Sequence, residues 1–306
     1  RSSAASDVYK RQTQCHSMIN EYSLKDRLHL LSKEKELPFN ACWKQLILER
    51  FLARLYRSNY ANKLIFKGGF LLAYIINIGR ETIDLDFLLT KVKAEVNNLE
   101  SICKEIVQVS YGDGFIFAFA SIQPLSQPHM GYPGYRITLN VSFGKMKDKI
   151  HIDIGIGDAV DPENLEINLL QCKKKPLFEE SISLLVYPIE SIFAEKLETV
   201  LSKGGTNSRL KDYHDLFLIA KNKKITNSKK LYDALASTFK NRGTTLAKIH
   251  FDSDEIGSLQ KLWLAHLRGL GGIAQELRLP EDIEKVIEEI NLILNQTVSI
   301  DSDSTV

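Results

Sequence analysis

The sequence predicts an α+β chain, with an N-terminal mixed β-sheet core carrying helices and a C-terminal helical bundle after it. Two observations carry this. Strand-like and helical runs alternate as far as residue 156, and from Ile189 onward the apolar spacing is helical throughout. At 306 residues the chain has room for two such parts. The expected divisions are a leader at 1–17, an α/β core at 18–180, a helical domain at 181–298 and a polar, disordered tail at 299–306.

The leader is set apart by its residues. Asp7-Val-Tyr-Lys-Arg-Gln12 is the translation of GAT-GTG-TAT-AAG-AGA-CAG, which is similar to a transposon end used in preparing sequencing libraries. Residues 1–12 therefore read as a non-native scar, with Met18 as the expected start. Without Arg1, Lys10, Arg11 and Asp7 the formal charge of +2 falls to zero, so global charge favours no polyanionic partner. The composition, 44% hydrophobic and 25% charged, is that of an ordinary globular protein. The most apolar run, Phe70 to Ile78, is too short to span a bilayer and lies between Lys67 and Arg80. Cys15, Cys42, Cys103 and Cys172 have no paired spacing and read as reduced thiols, so a cytoplasmic location is expected.

Helices are expected at 23–36, with Ser23 as N-cap, and at 38–58, where Leu46, Ile47, Phe51, Leu52 and Leu55 share a face. Arg50, Arg54 and Arg57 fall on another side and read as a solvated face. A short strand from Ile65 then meets Gly68-Gly69, an apolar helix, an Arg80-bearing loop and a second strand through Leu89. A helix over 94–110 precedes strands at 115–122, 135–143 and 149–156, with turn-rich sequence over Gln127–Gly134. Helices are expected at 189–203, 211–221, 226–241, 253–267 and 280–295.

The chemistry concentrates in the second strand. Asp84 and Asp86 lie two residues apart among Ile83, Leu85, Phe87, Leu88 and Leu89, so on a strand both carboxylates project from one face. Unpaired, such neighbours repel and lose hydration; a cation between them removes both penalties. Oxygen-liganded Mg2+, or Mn2+, suits that arrangement. Asp153 alternates with Ile152 and Ile154 on a later strand and is the natural third carboxylate.

Lys67-Gly-Gly69, Arg80-Glu-Thr-Ile-Asp-Leu-Asp86, Ile152 through Asp158, Ala194-Glu-Lys-Leu-Glu198 and Arg209-Leu-Lys-Asp-Tyr-His-Asp215 together resemble the successive motifs of the AbiEii/AbiGii toxin family. The resemblance covers roughly residues 23–220 and implies a nucleotidyltransferase fold of the DNA polymerase β-like superfamily. It also implies an NTP donor and the toxin half of a bacterial type IV toxin–antitoxin or phage-defence (abortive-infection) pair. A tRNA end is the implied acceptor, and the antitoxin partner need not bind stably.

Under that resemblance Asp84, Asp86 and Asp153 hold metal, and Lys196 binds triphosphate and neutralises the leaving pyrophosphate. Asp212 matches the last motif's carboxylate, either positioning Lys196 or Arg209 or touching the nucleophile. Lys67, Gly68, Gly69, Arg80 and Arg209 serve the triphosphate. One position departs: Phe70 stands where the superfamily carries a small hydroxyl residue, which leaves phosphate contact to the backbone N–H groups of Gly69 and Phe70. His151 and His214 are not required by this chemistry. The lysines at 173–175 and from 221 to 230 could follow an RNA backbone or be solvated loops. Two other readings stay open: nucleotidylation of a protein or small molecule, and a nucleotide- or partner-binding module without turnover.

Overall fold

The computed structural model describes residues 19–91, 95–125, 134–157 and 160–303. Two helices lead into the sheet. α1 (Glu21–Lys35) begins two residues ahead of expectation, because Asn20 and not Ser23 is the cap: its side chain accepts from the Ser23 N–H at 2.9 Å. α2 is Phe39–Arg57. β1 (Leu64–Lys67) runs directly into α3 (Gly68–Ile75), and β2 (Asp84–Leu89) follows. After α4 (Val96–Val107) come β3 (Phe115–Leu125), β4 (Gly134–Phe143) and β5 (Met146–Gly155). Of the turn-rich segment, 127–133 lies outside the described residues, as do the leader at 1–17 and Asp158 of the third motif.

The remaining strands were not expected from the sequence. β6 (Glu163–Asn168) pairs antiparallel with β9 (Ser181–Val186), and between them β7 (Gln171–Cys172) and β8 (Lys175–Pro176) form a small ribbon. β9 joins β1 in parallel at Phe66 and Val186, so the sheet extends past residue 180. The seven-stranded sheet has the order β3-β4-β5-β2-β1-β9-β6. It is mixed: β2 is antiparallel to β1 and parallel to β5.

β2 thus lies in the interior of the sheet, and its alternation decides what each face does. Leu85 and Phe87 are fully buried, with Phe87 6.3 Å from Phe51 of α2 and 5.5 Å from Phe66. Each such side chain contributes about 1.5–3 kcal/mol by burial, which pins the strand's register. The intervening residues, Asp84 and Asp86, are thereby committed to the opposite face.

The C-terminal part is helical, with α5 (Ile189–Lys203), α6 (Leu210–Lys221), α7 (Ser228–Arg242), α8 (Ser253–Leu270), α9 (Gly272–Glu276) and α10 (Ile283–Asp303). α10 continues through 299–303 of the expected tail, and 304–306 lie outside the described residues. One apolar core runs from Leu24 through the sheet to Leu294. Cys42, Cys103 and Cys172 are free and buried, and among the described residues no helix is long and apolar enough to cross a membrane.

Two of the three arginines of α2 correct the sequence reading, while Arg57 is exposed as expected. Arg50 and Arg54 are buried, because Asp113 accepts from Arg50 at 2.8 Å and from Arg54 at 2.8 and 2.9 Å. Glu179 also pairs with Arg50, and the Tyr111 ring lies under all three guanidiniums, at 3.9 Å from Arg57. Charge pairing and ring contact replace the lost water.

Candidate active site

The polar face of β2 opens on a cleft of about 550 Å³ between the sheet, α3 and the starts of α5 and α6. Register brings the carboxylates together. Asp86 pairs directly with Asp153 of β5, and Asp84 pairs with His151. Asp153 in turn faces Arg136 of β4, whose guanidinium donates to both carboxylate oxygens at 2.7 Å. The same guanidinium lies 3.6 Å from Asp84. Burial, and next the Asp153 charge, push Asp86 up to about 6; Lys67 opposes the rise and Asp84 adds to it.

A side chain of the protein itself requires Gly68, and others closely flank Gly69. Gly68 has φ +76°, and a Cβ there would sit 2.0 Å from the Asp86 carboxylate. A Cβ on Gly69 would lie 3.0 Å from Thr82 and 3.1 Å from the Arg80 guanidinium. Phe70 turns into the core, 4% exposed, against Phe66 and Tyr74. Only backbone N–H groups of the first α3 turn, which have no intrahelical partner, are then left at this position for an anion.

The opposite wall is cationic and tied down by buried carboxylates. Asp215, wholly buried, receives Arg80 at 2.6 and 3.0 Å and Lys196 at 2.7 Å. Burial alone would raise its pKa; Lys196 and Arg80 outweigh burial and hold it down at about 2. Asp212 is in contact with both Lys196, at 3.0 Å, and Arg209, at 3.0 Å. Lys67 is paired with Glu195 at 2.7 Å over the Tyr187 ring. Arg242 of α7 reaches Glu198 at 2.6 Å and lines the same cleft. Lys211 lies in the cleft too; desolvation, then Arg209, push its pKa below the ordinary lysine value.

All ten residues singled out in the sequence line or border this cleft: Lys67, Gly68, Gly69, Arg80, Asp84, Asp86, Asp153, Lys196, Arg209 and Asp212. Sequence reasoning missed Arg136, Arg242 and the anchoring role of Asp215. The three-residue spacing of Asp212 and Asp215 signalled a shared helix face; nothing local marked the other two. Among the described residues, no three His, Cys, Asp or Glu side chains stand arranged as a metal cage. The donor set nevertheless fits a hard divalent ion. Asp86 and Asp153 are direct neighbours on adjacent strands, Asp84 stands two residues along β2 on the same face, and Asp84 Oδ1 is buried without a hydrogen-bond partner.

His214 and His151 lie outside this chemistry. His214 is buried against His266 at 2.9 Å, and His151 pairs with Thr138. Of the lysine run, Lys221 bonds the Leu277 carbonyl and Lys230 pairs with Glu163, so both serve the fold.

The cleft lies on a mixed sheet beside a strand–glycine–helix turn, and the comparison with known families gives the class of protein. A family model described as nucleotidyl transferase AbiEii toxin of type IV toxin–antitoxin systems matches residues 50–289, and the chain belongs to that family. Among solved structures, a Helicobacter pylori protein described as a candidate nucleotidyltransferase is 17% identical with a TM-score of 0.42, covering 84% of this chain and 97% of its own. JHP933 from Helicobacter pylori is 15% identical with a TM-score of 0.42, covering 85% and 94%. No curated protein matches the chain.

Proposed function

We propose that the protein moves a nucleoside monophosphate from an NTP to a tRNA 3′ end with the help of a divalent metal, as the toxin of a two-gene system. The observation that carries the transfer reading is the pairing of opposite walls in one cleft. Asp84, Asp86 and Asp153 lie on one side, and Lys196, Arg209, Lys211 and Arg242 on the other. A triphosphate has to be neutralised along its length while a hydroxyl is brought to its α-phosphorus, and such a cleft offers both. The tRNA acceptor rests on the resemblance of the motifs to a family with relatives that act on tRNA ends.

Asp84, Asp86 and Asp153 would hold Mg2+ or Mn2+, which supplies charge neutralisation and a more acidic attacking hydroxyl when bound. Lys196, fixed by Asp212 and Asp215, presents its ammonium to the triphosphate, and Arg80, fixed by Asp215, covers the Gly69 backbone. The first-turn N–H groups of α3 take the phosphate oxygens that a hydroxyl side chain would otherwise serve. The Phe70 ring, buried in the core, contributes packing in place of that contact.

The test is incubation with Mg2+, each α-32P-labelled NTP in turn and total bacterial RNA. A labelled tRNA-sized band is expected, lost in the Asp84→Ala/Asp86→Ala variant while its circular dichroism is unchanged. Label in protein would replace tRNA with a polypeptide acceptor. No label with any NTP, despite NTP binding, would leave a binding module without turnover.

A further inference from the structure

Arg136 is more than the partner of one strand neighbour. β5 lies between β4 and β2 in the sheet, yet the guanidinium satisfies Asp153 on β5 and also approaches Asp84 on β2, one strand further on. An ordinary cross-strand ion pair accounts for the first contact but not for that reach. Arg136 thus spreads one permanent positive charge over two of the three carboxylates, and unlike a lysine it cannot shed that charge. Its contact with Asp153 engages both oxygens, the same atoms that a hard divalent cation would need. Two cations on one carboxylate repel each other, so occupancy by one weakens the other. The Arg136 side chain is 37% exposed along the cleft, which gives it room to move off Asp153.

We propose that Arg136 is a resident counter-ion that competes with the divalent cation for Asp153 and Asp84, so that metal loading displaces its guanidinium. The inference rests on the reading of these carboxylates as the metal-holding residues. Arg136 is then a positioning residue: it holds the acids together before loading and lowers the affinity of the site for metal.

The experiment is Mn2+ titration of the whole protein, followed by the electron paramagnetic resonance signal of the free ion, for the wild type, Arg136→Ala, Arg136→Lys and Asp86→Asn. Arg136→Ala should bind Mn2+ about tenfold more tightly than the wild type, a difference set by loss of the competing charge. Arg136→Lys should fall between them. In the wild type itself, the Arg136 Nε–H nuclear magnetic resonance signal, assigned by its loss in Arg136→Lys, should shift as Mg2+ is added. Arg136→Ala binding no more tightly than the wild type, or an Nε–H signal unmoved at saturating Mg2+, would overturn the proposal. If Asp86→Asn abolishes binding in that case, the carboxylate reading survives and only the competition fails. If Asp86→Asn binds as the wild type does, both fall.

Discussion

Asp215 shows how much one residue can organise without facing the cleft. It touches the two cations that the proposed mechanism aims at the triphosphate, Arg80 and Lys196, and has no solvent exposure. Removing its charge leaves Arg80 without its carboxylate and Lys196 with Asp212 alone. Asp215→Asn should therefore destabilise by about 3–5 kcal/mol, the range for breaking a buried pair. It should also raise KM for NTP. Arg209→Ala removes a side chain that is 48% exposed and should cost less than about 1 kcal/mol, as surface pairs do. Urea unfolding of the two variants at pH 7 checks the contrast, and equal losses would refute it. Because the folded pKa of Asp215 is depressed, its stabilisation is complete above the ordinary carboxylate pKa near 4 and is lost as pH falls through about 2.

At the scale of elements, the β1–α3 turn is where backbone and carboxylate are most tightly bound together. Gly68 and Gly243 both have positive φ, at +76° and +65°, but only Gly68 lies under another group. Alanine at either position meets the left-handed penalty of about 1–2 kcal/mol. Gly68→Ala additionally drives its methyl into the Asp86 carboxylate, whereas Gly243→Ala meets nothing within 4 Å. Gly68→Ala should thus lose nucleotidyl transfer at least tenfold, with Gly243→Ala near wild type; steady-state kinetics on folded protein decides. This junction was legible in the sequence because its signals are local: adjacent glycines, two aspartates at strand spacing, and Asp153 in alternation with isoleucines. Arg136 was not legible, since its place beside Asp153 depends on the register of β4 against β5. Arg50 and Arg54 failed for the same reason: their common carboxylate, Asp113, is some sixty residues away in the chain. β6 was missed because it is mostly polar and is a strand only through its pairing with β9. β9 carries alternating Ile182, Leu184 and Val186, a local strand signal that the sequence reading passed over.

For the whole molecule, the protons buried in the core set how stability depends on pH, and groups of opposite sign compete. Glu49 lies wholly in the interior; burial pushes it up to about 7, although the Leu170 N–H, Tyr74 and Gln45 all donate to it. Burial pushes His214 the other way, down to about 4. Between about pH 4.5 and 6.5 the native state therefore keeps a proton on Glu49 that the unfolded chain releases. Over the same interval the unfolded chain takes up a proton on His214 that the native state refuses. The two slopes cancel, since stability follows the difference in bound protons. Asp86 adds to the Glu49 side and His266 to the His214 side. The raised Glu49 stabilises fully below its unfolded pKa and loses that contribution as pH rises through about 7. The depressed His214 stabilises fully above its unfolded pKa and loses that contribution as pH falls towards 4. Glu49→Gln fixes the neutral form, so it should match wild-type stability near pH 4 and exceed it by roughly a few kcal/mol above pH 7, where the wild-type carboxyl, held at about 7, must ionise in the core or stay protonated against the solvent. With the Glu49 slope removed, the variant's own stability should climb with pH from about 4 to 6.5, exposing the histidine. Denaturant unfolding of both proteins across pH 4–8 measures this, and a Glu49→Gln variant that loses ground as pH rises would show Glu49 to be ionised in the native core.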